Sequence, residues 1–166
     1  KLGRVKTYLI HQRRLPVALL DPLIQSGLLY ADARANAVFV LLELRPVGAC
    51  APEGKENTPV GAELRGTSDH RWRGMALGSE KDRGFFSVPS SLSGHKQITG
   101  SQPPRPIILC ESAIDAISCF ALHPDHCCIS TSGARPNPQW LAALLDQGLQ
   151  IYCGFDTDPT GESAAT

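Results

Sequence analysis

The sequence predicts an α/β fold in which a parallel sheet flanked by helices follows a smaller α+β module. From Ile107 onward, short apolar segments alternate with helix-like segments over short loops. This pattern is typical of parallel strands joined by right-handed crossovers. Before that point, two helical segments give way to several strand-like segments without such alternation. Hydrophobic residues make up 42% of the 166, which is enough to build a packed core.

The chain starts with two predicted helices and a pair of strands. "VKTYLIHQRR" and "PVALLDPLIQSG" have apolar residues at helical spacing, and Gly27 is a stop signal. Because Pro22 interrupts the second pattern, we expect a short helix or one that restarts there with Asp21 as its cap. The segment "GLLYADARANAVFVLLEL" then predicts a strand, a turn and a strong strand.

Basic residues surround an aromatic residue in the next part of the chain. A long loop is predicted over residues 45–59, followed by strands in "VGAELRGTS" and "FFSV". Basic side chains interleaved with Trp72 suit phosphate neutralisation and base stacking, although an ordinary polar hairpin explains this composition equally well. The candidates for a nucleic-acid or nucleotide path are Arg65, Arg71, Arg73, Lys81 and Arg83.

A stretch rich in Ser, Gly, Pro and Gln, "PSSLSGHKQITGSQPPRP", predicts a linker. We therefore expect an N-terminal module over residues 1–88, a linker over 89–106 and a C-terminal domain over 107–166. The elements predicted for the C-terminal domain are strands in "PIILC", "HCCIS" and "LQIYCGF", helices in "SAIDAISCFAL" and "NPQWLAALLDQG", and a helix start at "TGESAAT".

Charge divides sharply between the two parts. Lys1–Pro106 contains 15 basic and 9 acidic residues, whereas Ile107–Thr166 contains 1 basic and 7 acidic residues. A basic surface attracts phosphates, and a concentrated acidic cluster attracts divalent cations. Uneven solvated surface is the ordinary alternative.

Three acidic residues are predicted at one edge of the parallel sheet. Glu111 directly follows the first strand, and Asp156 and Asp158 follow the third. Because ligand-binding groups collect at the carboxyl ends of such strands, we expect the three to lie together. Carboxylate oxygens select Mg²⁺ or Mn²⁺ rather than zinc, and Gly161 would allow close backbone approach at the helix start.

Two further helix starts are predicted from their caps. Ser112 and Asp115 form an S-x-x-D pattern, so Asp115 is either a supporting metal ligand or only a cap. Asn137 and Pro138 form a cap followed by proline.

The six cysteines form no C-x-x-C pair, which favours reduced thiols in a cytoplasmic protein. The stretch "HPDHCC" resembles a zinc site only superficially, because Cys127 and Cys128 would point to opposite faces of a strand. No apolar run approaches the roughly 20 residues that a membrane helix needs. Without a leader or an initiator Met, the chain is expected to be a fragment of a longer protein.

The segments "IILCESAIDAIS", "STSGA" and "YCGFDTDPTGESAA" resemble the Toprim domain of bacterial primases, topoisomerases, nucleases and recombination mediators. The spacing of Glu111, Asp115, Asp156, Asp158 and Gly161 is most similar to the primase pattern. "YLIHQRRLPVALLDPLIQSGLLYADARANAVFV" and "GAELRGTSDHRWRGMALGSEKDRGFF" resemble the module that precedes Toprim in primase-like proteins of plasmids and other mobile elements.

The resemblance implies a Rossmann-like Toprim sheet and metal-dependent nucleotidyl transfer. Glu111 would act as general acid/base or share in metal binding, while Asp156 and Asp158 would hold one or two Mg²⁺ or Mn²⁺ ions, with Asp115 as a supporting ligand or only a cap. The expected partners are a single-stranded DNA template, nucleotides, and helicase or relaxase modules of a larger protein. Three departures stand out: Ser112 stands where primases usually have Gly, the sequence shows no zinc-binding module, and it stops in the helix after D-x-D, so we expect the Toprim domain to be truncated here.

Two alternatives follow from the same residues. A Toprim nuclease would use the same metal site with water as the nucleophile. A non-catalytic DNA-binding or assembly module, as in recombination mediators, would bind DNA without depending on Glu111. A topoisomerase is disfavoured because Tyr8, Tyr30 and Tyr152 fall in apolar patterns typical of core tyrosines.

Overall fold

The structure is a computed structural model that describes residues 1–44, 58–68, 72–89, 105–135 and 137–165. We refer to residues 1–89 as the N-terminal part and to residues 105–166 as the C-terminal part. The helices and strands are α1 (Leu2–Thr7), a π-helical turn (Tyr8–Gln12), α2 (Val17–Gln25), β1 (Leu29–Ala31), β2 (Ala37–Glu43), β3 (Pro59–Arg65), β4 (Arg73–Met75), β5 (Gly84–Val88), β6 (Ile107–Cys110), α3 (Ala113–Leu122), β7 (Cys127–Ser130), α4 (Gln139–Leu145), β8 (Ile151–Cys153) and α5 (Pro159–Ala165).

The second helix, α2, does not break at its proline. It continues through Pro22 to Gln25 and begins after Pro16, without a side-chain cap. The expected restart at Asp21 is therefore wrong. The missing proline N–H removes only one helical hydrogen bond, and the buried Leu20 and Leu23 hold this segment against the core. Asp21 instead pairs with Lys6, whose Nζ lies 2.8 Å from Oδ1.

The strands of both parts form a single mixed sheet. Its order is β4-β3-β2-β5-β7-β6-β8, with β1 also paired to β2. Strand β5 joins the two parts, because it pairs antiparallel with the end of β2 and antiparallel with all of β7 except its first residue. The helix-flanked α/β fold expected from the sequence is confirmed, but its sheet continues across the predicted boundary between the modules.

The three strands of the C-terminal part are parallel, as their alternation with helices predicts. Strand β6 lies between β7 and β8 and runs parallel to both. The carboxyl ends of β6 and β8 therefore meet at one edge of the sheet, where the predicted acidic residues follow them.

Each face of the sheet has its own apolar core. On one face, α1, α2 and α3 pack against side chains that include Phe39, Phe86 and Cys128. On the other face, α4 places Trp140 and Leu144 against residues that include Cys127. The neighbouring cysteines thus point to opposite faces, as the strand pattern predicts. The predicted linker lies almost entirely outside the described residues.

Strand β8 is less buried than its apolar sequence indicates. Tyr152 was expected in the core, yet both it and its neighbour Cys153 are exposed. The physical reason is that β8 is the last strand of the described sheet, with a neighbour on one side only. Tyr30 is also exposed, whereas Tyr8 is buried as predicted. Across the described ranges, none of the helices combines the length and apolarity that a bilayer crossing requires.

Candidate metal and nucleic-acid site

Glu111 lies immediately after β6, at the carboxyl edge of the sheet. Its carbonyl accepts a hydrogen bond from the Gly133 amide at 2.7 Å, which ties it to the loop after β7. Its side-chain Oε1 accepts a hydrogen bond from the Asp156 amide at 3.3 Å. The sheet therefore brings Glu111 next to the D-x-D segment, 45 residues away along the chain.

The D-x-D segment is held by the helix that follows it. Oδ1 of Asp158 accepts a hydrogen bond from the Gly161 amide at 2.8 Å, so this carboxylate caps α5. A Cβ added to Gly161 would lie 2.0 Å from the carbonyl oxygen of Asp156. The close backbone approach expected at this glycine is confirmed. Both aspartates are exposed.

The predicted cap of α3 is confirmed. The Ser112 hydroxyl accepts a hydrogen bond from the Asp115 amide at 3.4 Å and donates one to Asp115 Oδ2 at 2.6 Å. Asp115 therefore has a capping contact, and its role as a metal ligand stays a prediction. The cap expected from Asn137 and Pro138 is absent, because α4 follows Pro138 without a side-chain cap. The Gln139 amide instead donates to Asp82 Oδ1 at 3.3 Å.

The donor chemistry of this edge fits a hard divalent ion. Glu111, Asp156 and Asp158 present carboxylate oxygens there, and such oxygens are the ligands that Mg²⁺ and Mn²⁺ prefer. Within the part of the chain that the structure describes, no three His, Cys, Asp or Glu side chains are grouped closely enough to hold an ion. The carboxylates therefore have the right chemistry without an assembled coordination shell.

A cavity of about 180 Å³ lies beside Glu111, between the two parts of the chain. Strands β3 and β4 supply one wall, including Arg65 and Arg73. The loops after β6 and β7 supply another, and Lys81 completes the polar lining. The full lining is Phe39, Glu63, Leu64, Arg65, Arg73, Gly74, Met75, Lys81, Glu111, Ser112, Ile114, Ser132 and Gly133.

The five predicted basic residues are therefore not equivalent. Arg65, Arg73 and Lys81 line this cavity, and Lys81 Nζ donates to the Ser132 carbonyl at 3.3 Å. Arg83 lies elsewhere, where contacts with the Glu43 and Glu80 carboxylates raise the pKa of its guanidinium. Arg71 lies outside the described residues.

Trp72 precedes the cavity strand β4. Its ring lies against Gly66 and Gly74, where an added Cβ would come within 2.7 Å and 3.1 Å of ring atoms, respectively. The side chain is still 40% exposed. Part of the ring is thus exposed next to Arg73.

Sequence reasoning missed Glu63, a buried carboxylate on β3. It lines the cavity and is only 7% exposed. Its burial raises the pKa of the carboxyl, and hydrogen bonds from Ser130, Ala113 and Ser132 oppose this rise. The available signal was an acidic residue within the apolar strand "VGAEL". Its partners could not be identified, because they lie 50 to 69 residues away.

Comparison with protein families gives two matches that together cover most of the chain. Residues 7–90, about half of the chain, match the family described as protein of unknown function (DUF3991). Residues 108–166 match the Toprim-like family, which is typical of metal-dependent proteins that act on nucleic acid. Searches of curated proteins and of solved structures returned no match. The chain belongs to the DUF3991 family and carries a Toprim-like domain after that module.

Proposed function

We propose that this protein is the primase-like catalytic core of a bacterial mobile genetic element and that it performs metal-dependent nucleotidyl transfer on nucleic acid. The observation that carries the proposal is the cavity, in which Arg65, Arg73 and Lys81 of the DUF3991 module lie beside Glu111 of the Toprim-like domain. Such a transfer needs positive charge around phosphates and a carboxylate site at the reacting end. The cavity combines both.

Glu111, Asp156 and Asp158 would hold one or two Mg²⁺ or Mn²⁺ ions, with Asp115 as a supporting ligand. When bound, these ions supply electrostatic stabilisation of the oxygens between which the phosphoryl group moves. The hydrogen bond from the Asp156 amide to Glu111 orients the Glu111 carboxylate at this edge. Glu111 also suits proton transfer at the attacking hydroxyl.

The basic residues would neutralise phosphates of the template or the incoming nucleotide. Arg65 and Arg73 pair with each other across β3 and β4, so their side chains leave the same stretch of sheet next to Trp72. Phosphate neutralisation with base stacking is the usual way to hold a single strand without sequence preference. The partners that we propose are single-stranded DNA, nucleotides, and helicase or relaxase modules of a larger cytoplasmic protein.

The decisive experiment incubates the protein with single-stranded DNA, labelled nucleotides and Mg²⁺ or Mn²⁺. We expect new labelled oligonucleotides from the wild type, and a loss of at least a hundredfold in Glu111→Gln and in the Asp156→Asn, Asp158→Asn double variant. Shortened DNA instead of new oligonucleotides would establish a nuclease. DNA binding without either product would establish a non-catalytic module.

A second measurement tests the nucleic-acid path. The logarithm of DNA affinity falls as the logarithm of the salt concentration rises. Removing a side chain that contacts a phosphate should make this slope about one unit less steep. We expect this change in Arg73→Ala and Lys81→Ala. Arg83→Ala is the matched comparison, because it removes an equal charge that already lies between two carboxylates. Equal slopes in all three variants would place the DNA outside the cavity.

A further inference from the structure

Glu63 is an unusual residue for its position. It lies within β3, opposite Phe39 of β2 and Met75 of β4, and it is 7% exposed. A carboxylate buried in a sheet is strongly destabilising unless hydrogen bonds compensate its lost hydration. The contacts of its two oxygens therefore explain why this strand tolerates it.

Both oxygens are satisfied by the other part of the chain. Oε2 accepts a hydrogen bond from the Ala113 amide at 2.9 Å. Oε1 accepts one from the Ser132 hydroxyl at 3.0 Å and one from the Ser130 hydroxyl. These partners come from the first turn of α3 and from the end of β7 with its following loop. We call these three residues the Glu63 socket.

The socket belongs to the same backbone that carries Glu111. Ala113 lies two residues after Glu111, and the residue after Ser132 is Gly133, whose amide donates to the Glu111 carbonyl at 2.7 Å. Ser132 has a positive φ of 56°, a conformation that a non-glycine residue keeps only when its surroundings hold it. The hydrogen bond from Ser132 to Glu63 is one of the contacts that hold it there.

We infer that Glu63 is a positioning residue through which the DUF3991 module fixes the Glu111 loop of the Toprim-like domain. It does not itself bind the metal or the nucleic acid, because its oxygens are already engaged by three donors. It holds the backbone that follows Glu111 and the loop whose Gly133 amide donates to the Glu111 carbonyl, and thereby the carboxylate that faces Asp156. The inference rests on the proposed function only in taking Glu111 as a site residue.

The test is hydrogen exchange in Glu63→Gln, a change that keeps the side-chain volume. In the wild type, the socket donates hydrogen bonds to both oxygens of Glu63. Gln replaces one of these oxygens with an NH₂ group, which is a donor, so part of the socket loses its acceptor. We expect exchange of the Ser132 and Gly133 amides to become at least tenfold faster, while amides of the β2–β3 pairing stay unchanged. Binding of Mn²⁺, measured by calorimetry, should weaken about tenfold, as is typical when a residue that orients a ligand is lost.

Glu43→Gln is the matched control, because it removes a carboxylate from the neighbouring strand where the partner is Arg83 rather than the socket. In this control variant, the Gly133 amide should exchange at the same rate as in the wild type. If Glu63→Gln folds and its Gly133 amide exchanges at a rate within twofold of the wild-type rate, the inference is overturned. Should that variant not fold, Ser132→Ala decides in the same way: faster Gly133 exchange supports the inference and unchanged exchange overturns it. A wild type that binds no Mn²⁺ would count against the proposed function alone, because the exchange measurement needs no metal.

Discussion

Gly161 shows how the absence of one side chain shapes the D-x-D segment. A Cβ at this position would lie 2.0 Å from the Asp156 carbonyl oxygen and 3.1 Å from its amide nitrogen. These are backbone atoms, so Gly161→Ala must displace the segment that carries both aspartates. We expect a loss of about 1–3 kcal/mol in the free energy of unfolding, typical of overpacking, and weaker Mn²⁺ binding by calorimetry.

Gly3→Ala is the control for this glycine substitution. Gly3 lies in α1, and an added Cβ there would meet nothing within 4 Å. Alanine is preferred in a helix by roughly 0.5–1 kcal/mol, so this variant should be as stable as the wild type or more stable, with unchanged Mn²⁺ binding. Equal stability in Gly161→Ala would mean that the D-x-D segment has no fixed position against α5.

Residues with local partners were predictable, whereas Glu63 was not. The Ser112 cap of α3 depends on Asp115, three residues away, and the S-x-x-D pattern expresses that contact directly. The turn residue Asp32 likewise accepts hydrogen bonds from the Arg34 and Asn36 amides. Glu63 depends on side chains brought close only by the complete fold, and one sequence contains no signal for such pairs.

At the scale of elements, the start of α4 depends on an acidic residue from the N-terminal part. The hydrogen bond from Arg135 lowers the pKa of Asp82 below its usual 3.8, and the Gln139 amide lowers it further. A lowered pKa means that the charged form stabilises the fold above pH 3.8 and that this contribution is lost as the pH falls below it.

We therefore expect Asp82→Asn to be less stable than the wild type at pH 7 and to approach it as the pH falls below about 3.8. Urea unfolding at a series of pH values measures this difference. A difference that stays constant from pH 7 to pH 3 would show that Asp82 contributes by packing rather than by charge.

Strand β5 is the element that joins the two halves of the sheet, and Gly84 makes this junction possible. An added Cβ would lie 2.0 Å from the Leu42 carbonyl oxygen and 2.8 Å from Val60 Cγ2. Gly84→Ala should therefore separate β5 from β2 and lower the free energy of unfolding by about 3 kcal/mol. Urea denaturation measures this loss, with Gly3→Ala again as the control. If Gly84→Ala lowers the free energy of unfolding by less than Gly161→Ala does, the junction between β5 and β2 is not central to stability.

At the scale of the whole molecule, the sequence predicted the two parts better than their connection. Parallel strands follow from the alternation of short strands and helices after Ile107, and the carboxyl ends of β6 and β8 then place Glu111 near Asp156. The pairing of β5 with β7 does not follow from any local pattern, because the predicted linker, β6 and α3 separate the two strands and such a distant antiparallel pair leaves no turn signal. For the same reason, the cavity that joins the basic residues to Glu111 could not be predicted.

The connection between the parts predicts that the Toprim-like domain does not fold alone. Without residues 1–89, β7 loses its antiparallel neighbour β5, the core around Ile117 loses Phe86 and Val88, and the Glu63 socket keeps three donors without their acceptor. We expect a fragment of residues 105–166 to show no cooperative thermal transition by circular dichroism. Addition of a separately expressed fragment of residues 1–89 should restore a transition, because the parts share one sheet.

Cleavage at a protease site inserted within residues 90–104 is the control for that fragment experiment. The cut keeps both parts at equal concentration, and they should elute together in gel filtration because the buried contacts between them are unaltered. A cooperative transition and dispersed amide resonances in the isolated fragment 105–166 would contradict this prediction. They would mean that the Toprim-like domain holds Glu111 in place by its own contacts and that β5 only adds a strand to a sheet already formed.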